Sequence, residues 1–262
     1  MLEAMAAASG FHHVALASVS STNDEAMARA RAGADLPLWV TAERQIKGRG
    51  RQGAHWVSES GNLYASLVLR VASLGHLSEL PLLAAVALHD ALSDRLDAGA
   101  APKLAIKWPN DILFDGQKVS GILAESQAAA DNCALAVVGI GVNLAHHPQA
   151  TRYPATDFTA QGVILEPAAL FTSLDSAMAV RLEQWQGGSR GGFQAIRAAW
   201  LERVSGLGQQ IEVRLPSETL TGRFDGMDNA GRLILHQPGR ADRLVSAGEV
   251  FFSDQTPKHG NI

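Results

Sequence analysis

The segment QIKGRGRQGAHW, residues 45–56, lies between two apolar segments that predict strands, residues 38–43 and 62–71. Its twelve residues contain three glycines, two arginines and one lysine. A long basic loop inside a compact domain is usually functional or disordered. The segment therefore predicts a loop with a task, between two strands of a buried sheet.

Four residues of this loop indicate its ligand. Gly48 and Gly50 let the backbone bend and approach a ligand closely. Arg49 and Arg51 carry planar, permanently charged groups that suit carboxylate and phosphate. We therefore expect the loop to close on an anion.

Composition limits the class of protein. The chain has 262 residues, 47% of them hydrophobic, and a formal net charge of −4. These values favour a large domain with a small second one, and exclude a disordered chain or a general polyanion binder. The single Cys133 excludes an internal disulfide and a cysteine-based zinc site. Because we find neither a signal peptide nor an apolar run of membrane-spanning length, we expect a cytoplasmic protein without membrane contact.

Periodicity predicts an α/β region followed by a small β domain. Strands are predicted at residues 13–18, 38–43, 62–71, 117–125 and 133–144, and helices after residue 22 and at 77–96, 166–185 and 193–204. After residue 206 the pattern changes to short strands separated by turns, at residues 210–215, 219–225, 232–236, 243–246 and 249–252. This pattern predicts a small antiparallel β-barrel.

A polar run precedes the first predicted helix. Thr22 with Glu25 three residues later is a capping-box pattern. Ser21, Thr22 and Asn23 can therefore be helix caps, or can bind a polar group of a ligand, and both roles can hold together.

The stretch from Lys107 to Lys118 is the second unusual one. Asn110 and Asp111 follow Pro109 and can be plain turn residues. In the functional interpretation, Asn110 contacts a purine edge and Asp111 orients Lys107, Lys118 or a metal. Lys118 lies on an otherwise apolar strand. It is either a lysine that reaches water from a sheet edge or a fixed positive charge in a ligand pocket. By period two, Lys118 shares one face of its strand with Ser120.

The glycine-arginine loop does not match the common nucleotide-binding motifs. No Gly-Lys-Ser/Thr follows it, as a P-loop requires, and it does not open a helix, as a dinucleotide-binding loop does. A solvated turn or non-specific contact with RNA remains open on this motif alone.

Taken together, the motifs resemble the biotin–protein ligase family. The resemblance covers most of residues 12–145. It rests on STN, ERQ with GRGRQG and the following tryptophan, NLY with Ser66, KWPND, Lys118 with the SGIL run and Glu125, and a final glycine-rich strand that ends at Asn143. It implies an α+β fold: a mixed β-sheet with packed helices, residues 1–206, followed by an SH3-like β-barrel, residues 207–262. It also implies activation of biotin with ATP and Mg²⁺ to biotinyl-5′-AMP, and transfer of biotin to a lysine of a biotin carboxyl carrier protein.

The resemblance also implies roles for individual residues. Catalysis is expected of Lys118, Arg49 and Arg51. Biotin binding is expected of Ser21, Thr22, Asn23, Gln45, Arg49, Gly50, Arg51 and Lys118. Contacts with ATP or the adenylate are expected of Gly48, Arg51, Trp56, Asn110, Asp111 and Asn143. No side chain is predicted as a metal ligand. Ala54 stands where family members often carry a basic residue, which puts one contact of the loop with the ligand in doubt.

Further expectations concern partners and alternatives. Because the STN motif begins at Ser21, we expect no DNA-binding domain and no DNA binding. We expect a monomer or a weak homodimer. The alternatives are a lipoate or octanoate ligase of the same fold, and a non-catalytic module that binds biotin or RNA.

Overall fold

The computed structural model describes residues 9–129, 133–149, 151, 153–187 and 191–252. Within these residues, seven strands form one mixed sheet in the order β1-β2-β3-β7-β6-β5-β4. The strands are β1 (His12–Leu16), β2 (Leu38–Ala42), β3 (Leu63–Val71), β4 (Leu104–Lys107), β5 (Asp111–Phe114), β6 (Gln117–Ala128) and β7 (Ala134–Val142). β1 and β2 are parallel, and the remaining neighbours are antiparallel.

Helices cover the sheet on both faces. They are α1 (Thr22–Arg31), α2 (Leu80–Ser93), α3 (Pro167–Trp185) and α4 (Gly192–Arg203). β2 shows how the faces separate, because its side chains alternate. Trp39 points into the large core that contains α2, α3 and α4, whereas Leu38 and Val40 point into a smaller core under α1. On the face of the sheet that packs against α1, the area that α1 does not cover is available for the site.

The connection between β5 and β6 agrees closely with its sequence pattern. Asp115 and Gly116 form the two-residue turn between β5 and β6, and both have positive φ, 50° and 74°, as an Asp-Gly hairpin requires. α2 is shorter than predicted, because Leu74–Glu79 forms a 3₁₀-helix before it and Pro81 occupies its first turn.

The C-terminal part is a separate antiparallel sheet. Within the described residues, its five strands have the order β11-β10-β9-β8-β12. They are β8 (Gln210–Arg214), β9 (Thr219–Met227), β10 (Leu233–His236), β11 (Arg243–Val245) and β12 (Glu249–Phe252). The predicted combination of a mixed sheet, packed helices and a small β domain is therefore confirmed.

The two parts are joined by hydrogen bonds. The Ser205 amide donates to the Ile106 carbonyl at 2.8 Å, which attaches the end of α4 to β4. The Arg197 guanidinium donates through Nε to the Met227 carbonyl of the β domain at 2.8 Å. These contacts hold the β domain beside the edge of the main sheet that carries Lys107.

A buried carboxylate joins α3 to β2. Asp175 is 1% exposed, and it accepts hydrogen bonds from Trp39 Nε1 at 3.0 Å and from the Ser9 amide at 2.9 Å. Trp200 is a suitable control for Trp39. It is also fully buried, but its Nε1 has no hydrogen-bond partner among the described residues.

We predict that Trp39→Phe destabilises the fold more than Trp200→Phe. Both substitutions remove an indole, but only the first removes a donor from a buried carboxylate, which costs about 1.5–3 kcal/mol. Urea unfolding measures the difference. Equal losses of unfolding free energy in the two variants would contradict this account of Asp175.

Candidate active site

A cleft of about 590 Å³ opens on the α1 side of the main sheet. This volume lies in the usual range for a small-molecule site. The start of α1, the glycine-arginine loop, the β4–β5 turn and the middle of β6 and β7 form its walls, and Gly248, Glu249 and Val250 of the β domain complete it. The predicted site residues that line it are Ser21, Thr22, Asn23, Gln45, Arg49, Gly50, Arg51, Trp56, Asn110, Asp111, Lys118 and Asn143.

Neutral polar groups form one end of the cleft. The cap of α1 is Ser21, whose Oγ accepts from the Asp24 amide at 3.4 Å, so the predicted capping box from Thr22 is wrong. The Thr22 amide and hydroxyl instead donate to Gln45 Oε1 at 2.8 and 3.0 Å. Ser21 serves the helix, which frees Thr22 for the site.

A buried serine organises the same end. Ser66 Oγ on β3 lies 2.7 Å from both Thr22 Oγ1 and Asn23 Oδ1. Asn23 Nδ2 donates to Glu125 Oε2 at 2.7 Å. A Cβ on Gly139 would lie 2.2 Å from Asn23 Oδ1, so the glycine makes room for this amide. Apart from the Glu125 carboxylate, the network consists of neutral donors and acceptors held at fixed positions.

The loop is an irregular hairpin. The Trp56 amide donates to the Gly48 carbonyl at 2.9 Å, the Gly50 amide donates to the Ala54 carbonyl at 2.7 Å, and Arg51–Gly53 is a 3₁₀ turn at the tip. Gly48 is the one predicted site residue outside the cleft lining. A Cβ there would lie 2.5 Å from the Trp56 carbonyl oxygen, so Gly48 allows the two arms of the hairpin to approach.

Arg49 is held by two carboxylates. Its guanidinium binds Asp24 in a bidentate pair at 2.6 and 2.8 Å and contacts Glu125 at 3.0 Å. The hydrogen bond to Asp24 raises the pKa of Arg49 further above its usual value. The charge of Arg49 is therefore compensated here, and the pair fastens the loop to α1 and β6.

Positive charge surrounds one carboxylate at the other end of the cleft. Lys118 Nζ lies 2.6 Å from Asp111 Oδ1, and Lys107 Nζ lies 3.7 Å from Asp111 Oδ2. Burial opposes ionisation of Asp111, but Lys118 and Lys107 outweigh it and lower the pKa of this carboxyl. Arg51 donates to Asn110 Oδ1 at 3.1 Å beside them. The cluster of Lys107, Asp111 and Lys118, with Arg51 added, is net positive and faces the cleft.

A β-bulge aims Lys118 at the cleft. Leu113 pairs with Lys118 and Ile112 pairs with Ser120, so Val119 is an extra residue on β6. A Cβ on Gly121 would lie 3.4 Å from Lys118 Nζ. Lys118 and Gly121 therefore lie on the same face of β6. The prediction that Lys118 shares a face with Ser120 is wrong, because the bulge interrupts the alternation of side chains along the strand.

Trp56 lies on a pair of glycines in the centre of the sheet. Gly121 and Gly141 are neighbours on β6 and β7, and a Cβ on either would lie 3.0 Å or less from the Trp56 ring. Trp56 Nε1 is buried and has no hydrogen-bond partner in the described part of the chain. Asn143, at the end of β7, is buried and donates to the Thr156 carbonyl at 3.1 Å. A planar ligand group can stack in this region only against or in place of the indole.

Ser66, Lys107 and Glu125 belong to the sequence motifs, but the sequence predicts no binding or catalytic role for them or for Asp24. Ser66 and Lys107 belong to strands, where side-chain partners depend on the register and on neighbouring strands. Asp24 and Glu125 meet Arg49 only after α1 and β6 come together. Lys107 did carry a signal, since it precedes Trp108 in the same motif as Asn110 and Asp111.

Comparisons with known proteins decide the family. Residues 16–143 match the family model described as Biotin/lipoate A/B protein ligase family, and residues 206–253 match Biotin protein ligase C terminal domain. The chain is 41% identical over 247 residues to a biotin–[acetyl-CoA-carboxylase] ligase of Paracoccus denitrificans, which covers 90% of this chain and 99% of that protein. The chain belongs to the biotin protein ligase family.

Other members of the family match more distantly. A Bifunctional ligase/repressor BirA of Bacillus subtilis is 31% identical over 236 residues, which are 87% of this chain and 70% of that protein. The solved biotin protein ligase from Aquifex aeolicus in complex with biotin and ATP has a TM-score of 0.76 and 24% identity, and the match covers 92% of this chain and 99% of that chain. This likeness shows the same fold.

We predict that Asp111→Asn destabilises the fold by about 3 kcal/mol near neutral pH, because it leaves the buried Lys107 ammonium without its counter-charge. Burial lowers the pKa of Lys107 from its usual 10.5, although Asp111 opposes this effect. In the variant the loss should therefore shrink as the pH rises through the lowered pKa of Lys107, where the amine becomes neutral.

Unfolding free energies at several pH values test this prediction. Lys107→Met is the control background, in which Asp111→Asn should cost clearly less, because no buried ammonium is left unpaired. A loss that is independent of pH and the same in both backgrounds would show that Lys107 and Asp111 are not coupled.

Proposed function

We propose that this chain activates biotin with ATP and then transfers biotin to a lysine of a carrier protein. The observation that carries the proposal is the division of one cleft into a neutral polar end and a positively charged end. Biotin has the same division, with a neutral ureido ring at one end and a carboxylate at the other. Family membership supports the same chemistry.

The neutral end of the cleft receives the ureido ring. This ring has N–H donors and a carbonyl acceptor, and it needs neutral partners that are already in position. Thr22, Asn23 and Gln45 supply them, and Ser66 fixes the first two. Preorganised partners lower the entropic cost of binding. The hairpin loop, with Gly50 and Arg51, then covers the valeryl chain of biotin.

The first step takes place at the charged end. A carboxylate oxygen of biotin attacks the α-phosphorus of ATP, the bond to the bridging oxygen breaks, and pyrophosphate leaves. Two anions must approach each other, so fixed positive charge is required. Lys118 is 26% exposed and faces the cleft, held by Asp111, where it can contact both the carboxylate and the α-phosphoryl oxygen. Arg51 adds a second charge from the tip of the loop.

Arg49 contributes differently in the state described here. Its pairs with Asp24 and Glu125 hold the loop closed over the biotin end. To contact a phosphate, Arg49 would have to exchange these carboxylates. We therefore assign loop closure to Arg49 in this state and keep its direct catalytic role as a proposal.

The nucleotide lies toward Trp56, Asn110 and Asn143. The site accepts it as MgATP, and Mg²⁺ then neutralises phosphate charge. Among the described residues, no group of three His, Cys, Asp or Glu side chains could hold a metal ion. Mg²⁺ on ATP is bound chiefly by phosphate oxygens and water.

The second step transfers the acyl group. The ε-amine of the carrier lysine attacks the carbonyl carbon of biotinyl-5′-AMP, AMP leaves, and the amine loses a proton. Until then the mixed anhydride has to be kept from water, which the hairpin loop and Trp56 do by covering the cleft.

The proposed carrier is the biotin carboxyl carrier protein of acetyl-CoA carboxylase. We further propose a cytoplasmic enzyme that acts as a monomer or weak homodimer. None of the described helices is long and apolar enough to cross a membrane.

Lys118→Gln should lower biotin-dependent release of pyrophosphate from MgATP at least about 100-fold, since one fixed charge at a developing anion contributes on this scale. Lys103→Gln is the matched control, because Lys103 lies at the exposed start of β4 and outside the cleft lining. The unfolding midpoint of Lys103→Gln should change little, whereas that of Lys118→Gln should fall, because the enclosed Asp111 then keeps only its longer contact with Lys107. Pyrophosphate release is therefore compared at a temperature at which both variants are folded. Pyrophosphate release by Lys118→Gln at the wild-type rate would remove Lys118 from the mechanism.

Arg51→Ala should let the intermediate escape. The variant loses the contact with Asn110 and the positive charge at the tip of the loop, so biotinyl-5′-AMP dissociates faster. Mass spectrometry of the filtrate measures free biotinyl-5′-AMP per pyrophosphate released. A ratio equal to that of the wild type would contradict the retention role of Arg51.

A further inference from the structure

A buried lysine lies directly behind Lys118 and has no task in the mechanism above. Lys107 ends β4, and its side chain is 2% exposed. A lysine is seldom fully buried unless it is paired, because the ammonium group loses its hydration. The Asp111 contact at 3.7 Å is too long for a strong hydrogen bond, so further partners are needed.

Aromatic rings supply these partners. Lys107 Nζ lies 3.7 Å from the centroid of the Tyr153 ring and 5.7 Å from that of Phe251. The Tyr153 ring in turn packs on Phe251 and Phe252 of β12, with centroids 6.4 and 6.5 Å apart. Both distances from Nζ lie within the range of a cation–π contact, which is stronger when the cation is desolvated. We call Tyr153 and Phe251 the aromatic cage.

The backbone joins the same elements a second time. The Lys118 amide donates to the Pro154 carbonyl at 2.8 Å, and the Thr156 amide donates to the Lys118 carbonyl at 3.0 Å. The segment that carries Tyr153 is therefore hydrogen-bonded to both the amide and the carbonyl of Lys118. Meanwhile Asp111 holds the side chain of Lys118 and contacts Lys107, whose ammonium rests on Tyr153.

These contacts connect Lys118, Asp111, Lys107, the Tyr153 segment and β12 of the β domain in one closed network. We propose that Lys107 is a positioning residue, which acts through Asp111 on Lys118, and that the aromatic cage makes this position depend on β12. The inference rests on the proposed function, because that function gives Lys118 its role. It assigns the β domain a direct task in the first step, in addition to the backbone that it contributes to the cleft wall.

The charges around Lys107 agree with a positioning role. Asp111 is the near counter-charge, Lys118 is a second cation beyond it, and Glu249 on β12 is a further carboxylate. Removing Lys107 leaves Asp111 paired with Lys118, so neither charge is orphaned. The Asp111 carboxylate would, however, lose the contact on its Oδ2 side and gain freedom to rotate.

Lys107→Met separates this role from a structural one. Methionine is close in volume, the substitution removes the cost of burying the ammonium group, and Asp111 keeps its ion pair with Lys118 at 2.6 Å. We expect the unfolding midpoint to be unchanged or higher. The kcat for biotin-dependent pyrophosphate release should fall about 10- to 100-fold, as a small misplacement of a reacting group allows. The KM for biotin should stay the same, because the neutral end of the cleft is untouched.

The cage is tested with two matched pairs. Tyr153→Phe keeps the ring and should keep kcat within about twofold, whereas Tyr153→Leu loses the π face and should reproduce the loss seen with Lys107→Met. Phe251→Leu should also lower kcat. Phe224→Leu, at another fully buried phenylalanine of the β domain, should leave kcat unchanged at an equal loss of stability.

The outcomes distinguish the inference from the proposed function. A wild-type protein that releases no pyrophosphate from MgATP with biotin contradicts the proposed function. An active wild type with wild-type kcat in Lys107→Met, or with equal kcat in Tyr153→Leu and Tyr153→Phe, contradicts the inference alone.

Discussion

The site depends on one carboxylate held between two lysines. Asp111 is enclosed, and it remains ionised because Lys118 and Lys107 compensate the cost of its burial. An isolated charge in this place would be neutralised. With both lysines present, the cluster keeps a net positive charge at the floor of the cleft, and the side chain of Lys118 is fixed before any ligand binds. A fixed charge does not have to reorganise as the reaction proceeds, which is the main source of its catalytic value.

The fold provides the space in which this charge acts. Gly121, Gly139 and Gly141 lie in the centre of the sheet, and side chains at these positions would collide with Trp56 or Asn23. The glycines therefore let the Trp56 ring and the Asn23 amide lie close to the sheet and form the cleft floor. Elements from distant parts of the chain close the cleft around it: the start of α1, the hairpin loop and the β domain. Stability and function meet here, because the same contacts that bury Lys107 also hold the β domain against the cleft.

Much of this arrangement could be predicted from the sequence. Apolar periodicity located five of the seven strands of the main sheet and the strands of the β domain, and the Asp115-Gly116 turn formed as its residue types require. The motifs located the cleft, since every predicted site residue except Gly48 lines it. These features depend on residues that are close in the sequence, so a sequence pattern can predict them.

The remaining features depend on pairing between distant segments. The bulge at Val119 changes which residues of β6 lie on the same face as Lys118. The spacing of residues in the sequence does not indicate an extra residue in a strand. Ser66 and Glu125 join the neutral end only through strand register and the approach of α1. Lys107 and Tyr153 are 46 positions apart in the sequence, and three strands, β5, β6 and β7, lie between them. Such contacts follow from the assembled fold rather than from any one segment.

The central claim is that one cleft joins biotin to ATP and passes biotin to a lysine. The most direct measurement incubates the wild-type protein with biotin, MgATP and an isolated carrier domain, and determines the mass of the carrier. The account predicts one added biotinyl group on a single lysine, only when both biotin and ATP are present, and none on a carrier whose acceptor lysine is replaced by arginine. An unmodified carrier, or modification with lipoate in preference to biotin, would contradict it.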